Sequence, residues 1–390
     1  MESQPMFNDP VGVMAVIIMV PVFFVWLEKK TQWKVFTFLP AIIWIFLTPI
    51  LLSNLGVIPK SSPIYDIFKS FAVPLFIVLM LLDINIREAL RVAWRGAAVM
   101  VIGSLGIVAG VVGSFWAFRG WLPDAAWSGF GALAGSWIGG TGNLAAVAEM
   151  LDTPEEFIGV VVIADNFVYL VYFPIILMAK NWAGWFNKFS GVSQEQIDHI
   201  AEATKSVERK THEVHFKDVL TLLGFGFAAI LVANLIAGML PEVGEVVSTK
   251  TWALLLVTVF GISLSATPLK DVPGSEPLSM TFVYIYMTMI GASADLSQLD
   301  QGAVWFLVAG YVAVTLHLLL IGLSARIFKI DVSMAAVASV AAVGGAASAP
   351  VAAGFHREEL VPISIMLALI GYALGNFLGW GAGALCHMLI

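Results

Sequence analysis

The sequence predicts an all-α polytopic membrane protein built as an inverted repeat, with ten transmembrane helices and two re-entrant hairpins. Three observations carry that expectation. Of 390 residues, 59% are hydrophobic and only 12% charged, where a soluble domain carries about 25% charged residues; mean hydropathy is +0.90. Apolar runs of roughly the 20 residues that cross a bilayer core recur along the whole chain. A Gly-rich break also interrupts the penultimate run of each half.

Twelve apolar segments lie near 8–27, 36–57, 65–83, 96–118, 126–150, 157–179, 217–239, 250–268, 278–293, 302–326, 332–355 and 359–386. Backbone polar groups in lipid must be satisfied within the segment, so each is expected to be helical. The first follows acidic Glu2 and Asp9 and precedes Lys29 and Lys30, without a small-residue cleavage site, and therefore reads as a retained span. A bacterial inner membrane is the expected location. One long polar stretch over 181–215 divides the chain into a first repeat (1–180), a cytoplasmic linker (181–216) and a second repeat (217–390). Net charge of −7 with dispersed Lys and Arg gives no footprint for nucleic acid. The single cysteine, Cys386, excludes an intramolecular disulfide or a cysteine metal cluster.

The halves match in three places. Gly139-Gly140-Thr141-Gly142-Asn143 precedes Pro154-Glu155-Glu156, and Gly344-Gly345-Ala346-Ala347-Ser348-Ala349-Pro350 precedes Arg357-Glu358-Glu359. Earlier in each half a span ends in an acidic, polar exit, at Asp83-Ile84-Asn85 and at Asp295-Leu296-Ser297. Duplicated halves with breaks in matching positions characterise many secondary transporters. Loop charges set the orientation. Lys29, Lys30, Lys34, Arg87, Arg91 and Arg95 belong inside. If segment five enters and returns from outside, acidic Glu149, Asp152, Glu155 and Glu156 stay outside and basic Lys205, Arg209 and Lys210 fall inside. A re-entrant segment eleven then enters from the opposite face. Two broken helices that cross fully, giving twelve spans, are the alternative.

A break in mid-membrane frees backbone groups that only protein, water or a ligand can satisfy. Half-helix N-termini favour an anionic group, and exposed carbonyls can hold Na+. The candidate substrate- and ion-binding residues are therefore Gly139, Gly140, Thr141, Gly142 and Asn143 at the first break, and Gly344, Gly345 and Ser348 at the second. Close helix packing is the competing explanation for these small residues. Asp165-Asn166 lies eight residues into an apolar run, where a carboxylate costs about 2.5–3.5 kcal/mol to insert. Asp165, with Asn143, is the candidate ligand for a coupling Na+, or a proton carrier. The matching stretch of the second half, Leu367-Ala368-Leu369-Ile370, has no acid. Asn376 is a further candidate, and Tyr169 and Tyr372 match across the repeat. His317 reads as a packed core residue, and Asp83 and Asp295 as span-end residues. No cofactor is expected beyond the coupling ion, since the Gly-rich segments lack the Lys-Ser/Thr of a nucleotide loop.

Gly139-Gly140-Thr141-Gly142 resembles the Gly-Gly-x-Gly signature of the glutamate–sodium and 2-hydroxycarboxylate symporters. The longer run Gly-Ser-Trp-Ile-Gly-Gly-Thr-Gly-Asn at 135–143, Ala-Asp-Asn at 164–166 and Tyr-Phe-Pro at 172–174 resembles domain-of-unknown-function family 819 over nearly the full chain. The resemblance implies a core domain with two crossing hairpins on a scaffold domain that dimerises. It also implies Na+- or H+-coupled uptake of a small organic anion by alternating access. The sequence thus points to a non-enzymatic symporter for a carboxylate or amino-acid-like anion, acting as a homodimer in the lipid bilayer. A cation/proton antiporter shares the architecture. An intramembrane enzyme or lipid-handling protein would need Asp165 and His317 to meet.

Overall fold

The computed structural model describes residues 5–33, 35–36, 41–82, 86–197, 213–244, 247–293 and 301–390. Asp83, Asn85, Asp295, Ser297 and the basic residues of the linker near 205–210 lie outside that set. Among the described residues, regular structure is helical apart from one isolated bridge, Val243 to Val247. The helices are α1 (Pro10–Thr31), α2 (Ala41–Asn54), α3 (Pro63–Leu82), α4 (Ile86–Phe118), α5 (Ala126–Met150), α6 (Glu155–Met178) and α7 (Ala183–Ser190). They continue as α8 (Phe216–Ala237), α9 (Thr249–Leu264), α10 (Ser275–Ser293), α11 (Gln301–Phe328), α12 (Val332–Val343), α13 (Gly345–His356) and α14 (Val361–His387). Seven helical stretches among the described residues are long and apolar enough to cross a membrane, and α2, α9 and α12 are shorter apolar helices. The chain is a polytopic helical membrane protein.

Start signals follow the sequence. Asp9 caps α1 by accepting from the backbone N–H groups of Val11 and Gly12 at 3.1 and 2.9 Å, with Pro10 at the first helical position. Asp331 caps α12 through the N–H of Ser333 at 3.1 Å.

Helix α5 is not straight. Gly140 holds φ 79°, ψ −174°, a conformation costly for any residue with a Cβ. The two arms fold back on one another. A Cβ at Gly135 would stand 2.8 Å from Val147 Cγ2, one at Gly139 2.8 Å from Asn143 Nδ2, and one at Gly131 would strike Leu151. In a straight helix residues 131 and 151 would be about 30 Å apart. α5 is therefore a helical hairpin (hairpin 1) with its tip at Gly140 and its base at residues 126–131 and 150.

The same test identifies a second hairpin. α12 and α13 meet at Gly344, and Gly345 holds φ 61°. At the other end Asp331 Oδ1 and Arg357 Nη2 pair at 3.3 Å. A straight helix would separate those residues by about 39 Å.

Helix α14 organises both hairpins. Its glycines at four-residue spacing, Gly371, Gly375, Gly379 and Gly383, face hairpin 1. A Cβ at Gly375 would lie 3.0 Å from Gly139 Cα, one at Gly379 2.8 Å from Gly135 Cα, and one at Gly383 3.3 Å from Gly131 Cα. The backbones thus run antiparallel in nearly direct contact, the packing that small residues spaced by four allow in lipid. The base of hairpin 1 sits at the C-terminal end of α14, whereas hairpin 2 ends just before its N-terminus. The hairpins therefore enter from opposite ends of α14. Their tips meet, with Gly345 3.8 Å from Gly140 Cα by the same measure and Tyr372 against both.

The remaining helices support this assembly. α4 and α11 pack through Gly103, Gly106 and Gly110, where a Cβ on Gly110 would stand 2.5 Å from the Ala313 carbonyl oxygen. α3, α9 and α10 pack together on the other side of hairpin 1, with α1, α2 and α8 around them.

Gly379→Val is expected to lower the melting temperature in detergent by several degrees, since overpacking costs about 1–3 kcal/mol. Gly381→Val, at a position with no atom within 4 Å of the added Cβ, is expected to leave it unchanged. Scanning fluorimetry of the two variants checks the assignment of the buried glycine face.

Candidate functional site

A cavity of about 310 Å³ lies where the hairpin tips meet α6. Its walls include Ser136, Gly140 and Thr141 of hairpin 1, Asp165, Asn166 and Tyr169 of α6, and Val343, Gly344 and Ser348 of hairpin 2. Glu28 of α1, the first residues of α2, and Met280 and Tyr284 of α10 complete it. It reaches the Lys29–Lys30 end of α1, opposite the base of hairpin 1. The N-terminal end of α1 is fixed at the other side, where Met6 and Phe7 donate to the carbonyls of Gly56 and Val57 just ahead of α3.

Asp165 fastens hairpin 1 to α6. Its Oδ2 accepts from Ser136 Oγ and its Oδ1 from Trp137 Nε1, each at 2.8 Å. Each oxygen keeps a further lone pair, so the carboxylate can hold the tip and still receive a cation or an ammonium group. Thr141 and Ser348 add hydroxyls from the two tips. Asn166 lines the cavity but spends its amide on the Val162 carbonyl of its own helix at 2.7 Å.

Asn143 and Asn376 do not join this cavity. Both are fully buried behind hairpin 1, where they form a directional chain. Asn143 Nδ2 donates to the Tyr372 carbonyl at 3.0 Å and to Asn376 Oδ1 at 2.8 Å. Asn376 Nδ2 donates to Thr258 Oγ1 at 2.9 Å, and Thr258 donates to the Leu254 carbonyl at 2.8 Å. Flipping the Asn143 amide would set its oxygen against two acceptors, so its orientation is fixed by its neighbours. That leaves Asn143 Oδ1 buried with no hydrogen-bond donor, beside Gly139, where the first arm ends. A helix C-terminus leaves its last carbonyls unpaired. An orphaned amide oxygen next to such carbonyls is a donor set suited to a hard monovalent cation or a water.

The candidate residues thus fall into three groups. Thr141, Asp165, Asn166, Gly344 and Ser348 line the cavity, as does Gly140 at the tip. Asn143 and Asn376 form the amide chain behind it. Gly139, Gly140, Gly142 and Gly345 serve geometry: two set the tips, Gly139 admits α14, and Gly142 packs on Met80 Sδ, 2.9 Å from an added Cβ. Of the two tyrosines, Tyr169 lines the cavity and Tyr372 lies behind the meeting tips.

Asp165 and His317 do not meet. His317 Nδ1 lies 2.8 Å from the Gly103 carbonyl, which only accepts, so that nitrogen carries the proton. Its Nε2 lies 2.9 Å from Ser339 Oγ, which in turn bonds Tyr172 Oη at 2.6 Å. In the neutral ring the chain runs from Tyr172 through Ser339 to His317. It ties α6, α12, α11 and α4 together.

Paired helical hairpins, a cavity at their tips and a carboxylate within the span define a class: polytopic membrane proteins with crossed hairpins around an internal site. The chain belongs to the family described as protein of unknown function (DUF819), whose model matches residues 15–389. It is also 29% identical over 339 residues to the "Uncharacterized membrane protein YjcL" of Bacillus subtilis (strain 168), covering 84% of this chain and 85% of that protein.

Because Asn143 and Asn376 share one hydrogen bond, their alanine substitutions are expected to be non-additive by about 0.5–3 kcal/mol. Unfolding of the two single variants and the double variant in detergent measures that coupling. Additive losses would mean that the amides act independently.

Proposed function

We propose that the protein is a secondary active transporter that moves a small amino-acid-like solute by alternating access, coupled to Na+ or H+. One observation carries the reading: two hairpins from opposite ends of α14 bring their tips together beside Asp165 at a cavity that opens past Glu28. Irregular backbone at mid-membrane is tolerated where it lines a site, and discontinuous helices are how many transporters build one. At about 310 Å³ the cavity falls at the small end of ligand sites. In this reading repeats 1–180 and 217–390 are inverted copies joined by a cytoplasmic linker over 181–216. Ten helices cross, two hairpins re-enter, and a homodimer works in the bacterial inner membrane without covalent chemistry. The Gly-Gly-x-Gly likeness to the glutamate–sodium and 2-hydroxycarboxylate symporters supports the same class.

The cavity lining narrows the solute. Among the described residues that line it, the charged side chains are the carboxylates of Glu28 and Asp165, with no Lys, Arg or His. A simple anion would meet that charge unfavourably, and a zwitterion would not. Its ammonium group would pair with Asp165, and its carboxylate would face the half-helix N-termini that begin at Thr141 and Gly345. The coupling cation, if Na+, has its best donors in Asn143 Oδ1 and the neighbouring carbonyls, with Asp165 as a second candidate. An antiporter reading would leave the solute-sized cavity without a role.

Purified protein in liposomes is expected to accumulate an amino acid under an imposed Na+ or H+ gradient, with amino acids competing better than simple carboxylates. Asp165→Asn is expected to weaken solute binding by roughly 30-fold or more, because losing one partner of a desolvated charge pair costs about 2–5 kcal/mol. Gradient-independent behaviour across a broad panel of amino acids and carboxylates would overturn the proposal.

A further inference from the structure

The base of hairpin 1 carries a second polar cluster, away from the tips. Three carboxylates within seven residues, Glu149, Asp152 and Glu155, each meet a cation from another part of the fold. Lys250, at the start of α9, lies 2.5 Å from Glu149 Oε2 and 3.0 Å from Asp152 Oδ1. Lys69 of α3 pairs with Glu155. Tyr286 of α10 donates to Glu149 Oε1 at 3.0 Å, and Thr251 of α9 donates to the Met150 carbonyl at 2.9 Å. Each of these bonds joins hairpin 1 or the segment leading out of it to α3, α9 or α10.

Lys69, Glu149 and Lys250 of the cluster line a cavity of about 530 Å³, together with Val73 and Leu254. The tip cavity opens toward the other end of the molecule, past Glu28. In the proposed re-entrant topology, loop charges put the hairpin 1 base on the outer side. The molecule therefore has a cavity on each side of the tips, and among the described residues these ion pairs lie at the outer one. The side chains of Glu149 and Lys69 are each 14% exposed, whereas Lys250 is 46% and Asp152 66% exposed. Water thus reaches one side of the cluster and can replace its partners as they part. An apolar contact would hold the base shut as well or better; charged groups suit a boundary that must open to water.

We propose that Lys69 and Lys250, with Glu149, Asp152 and Glu155, form the outer gate of the solute path. Closed, they hold the base of hairpin 1 against α3, α9 and α10. Open, they admit the solute to the outer cavity and on to the tips. The proposal rests on the transport reading above.

Accessibility of a buried cysteine tests it. Cys386→Ser removes the native thiol, and Leu254→Cys places a reporter in the outer cavity at a position only 4% exposed. The reporter is labelled from outside with a membrane-impermeant maleimide. The pair Glu149→Gln with Lys250→Gln removes both of the partly buried charges and leaves Asp152, 66% exposed, to water. It is expected to raise the labelling rate about tenfold or more through a larger open population. Lys69→Gln with Glu155→Gln, a second neutral pair, is expected to act in the same direction. Unchanged labelling in variants that elute as folded protein, with or without a lower Tm, would overturn the gate and leave a structural tie. If the wild-type protein moves no solute in liposomes, the transport reading falls instead, whatever the labelling shows.

Discussion

The fold depends on backbone contact between hairpin 1 and α14. Lipid tails are as apolar as the side chains they meet, so helices in a membrane associate through close packing and polar contacts rather than exclusion from water. Gly131, Gly135 and Gly139 against Gly383, Gly379 and Gly375 supply that packing in a continuous antiparallel register. A helix that folds back on itself has few neighbours of its own. Seating it on α14 places its tip at mid-helix, and the same α14 receives hairpin 2 from the other end.

This seat explains why the polar residues of the first break divide. The glycine face that admits α14 also turns Asn143 toward α14, where Asn376 and the Tyr372 carbonyl accept from its amide nitrogen. The opposite side of the tip faces α6, so Ser136 and Trp137 turn to Asp165. One five-residue motif thus serves two environments, a dry amide chain and a cavity. Hairpin 2 uses alanines where hairpin 1 uses glycines, with Ala335, Ala336, Ala338, Ala341 and Ala342 all buried. Its base is closed by the Asp331–Arg357 pair.

Much of this was legible in the sequence. The glycine runs gave both tips, because a left-handed φ in mid-membrane admits little else. Loop charges indicated that segment five returns to its own side. Asp165 stood out because a carboxylate in an apolar run must find partners. Three features were harder to read. The division of Asn143 from Asp165 depends on which face of the tip meets α14, which no local pattern encodes. The glycines of α14 recur every four residues and were readable as a packing stripe, but their partner is set by tertiary register. The partners of Glu149, Asp152 and Glu155 lie about 80–100 residues away in sequence on α3 and α9, and charge pairing at that separation leaves no local signal.

The chemistry of the contacts also divides the molecule. Hairpin 1 is bound to α14 by glycine backbones and to α6 by the Asp165 bonds, contacts that are either dry or internal to the site. Separating them would open voids or strand a carboxylate, and packed interiors resist both. Toward α3, α9 and α10 the base of the hairpin is held by ion pairs that border water. Of these, only the Lys250–Asp152 pair is exposed on both sides, and exposed pairs contribute little net stability, about 0–1 kcal/mol each; Glu149 and Lys69 are each 14% exposed. In the proposed transport cycle, the place where hairpin 1 meets α3 and α9 is the boundary expected to part, with hairpin 1, α6 and α14 moving together.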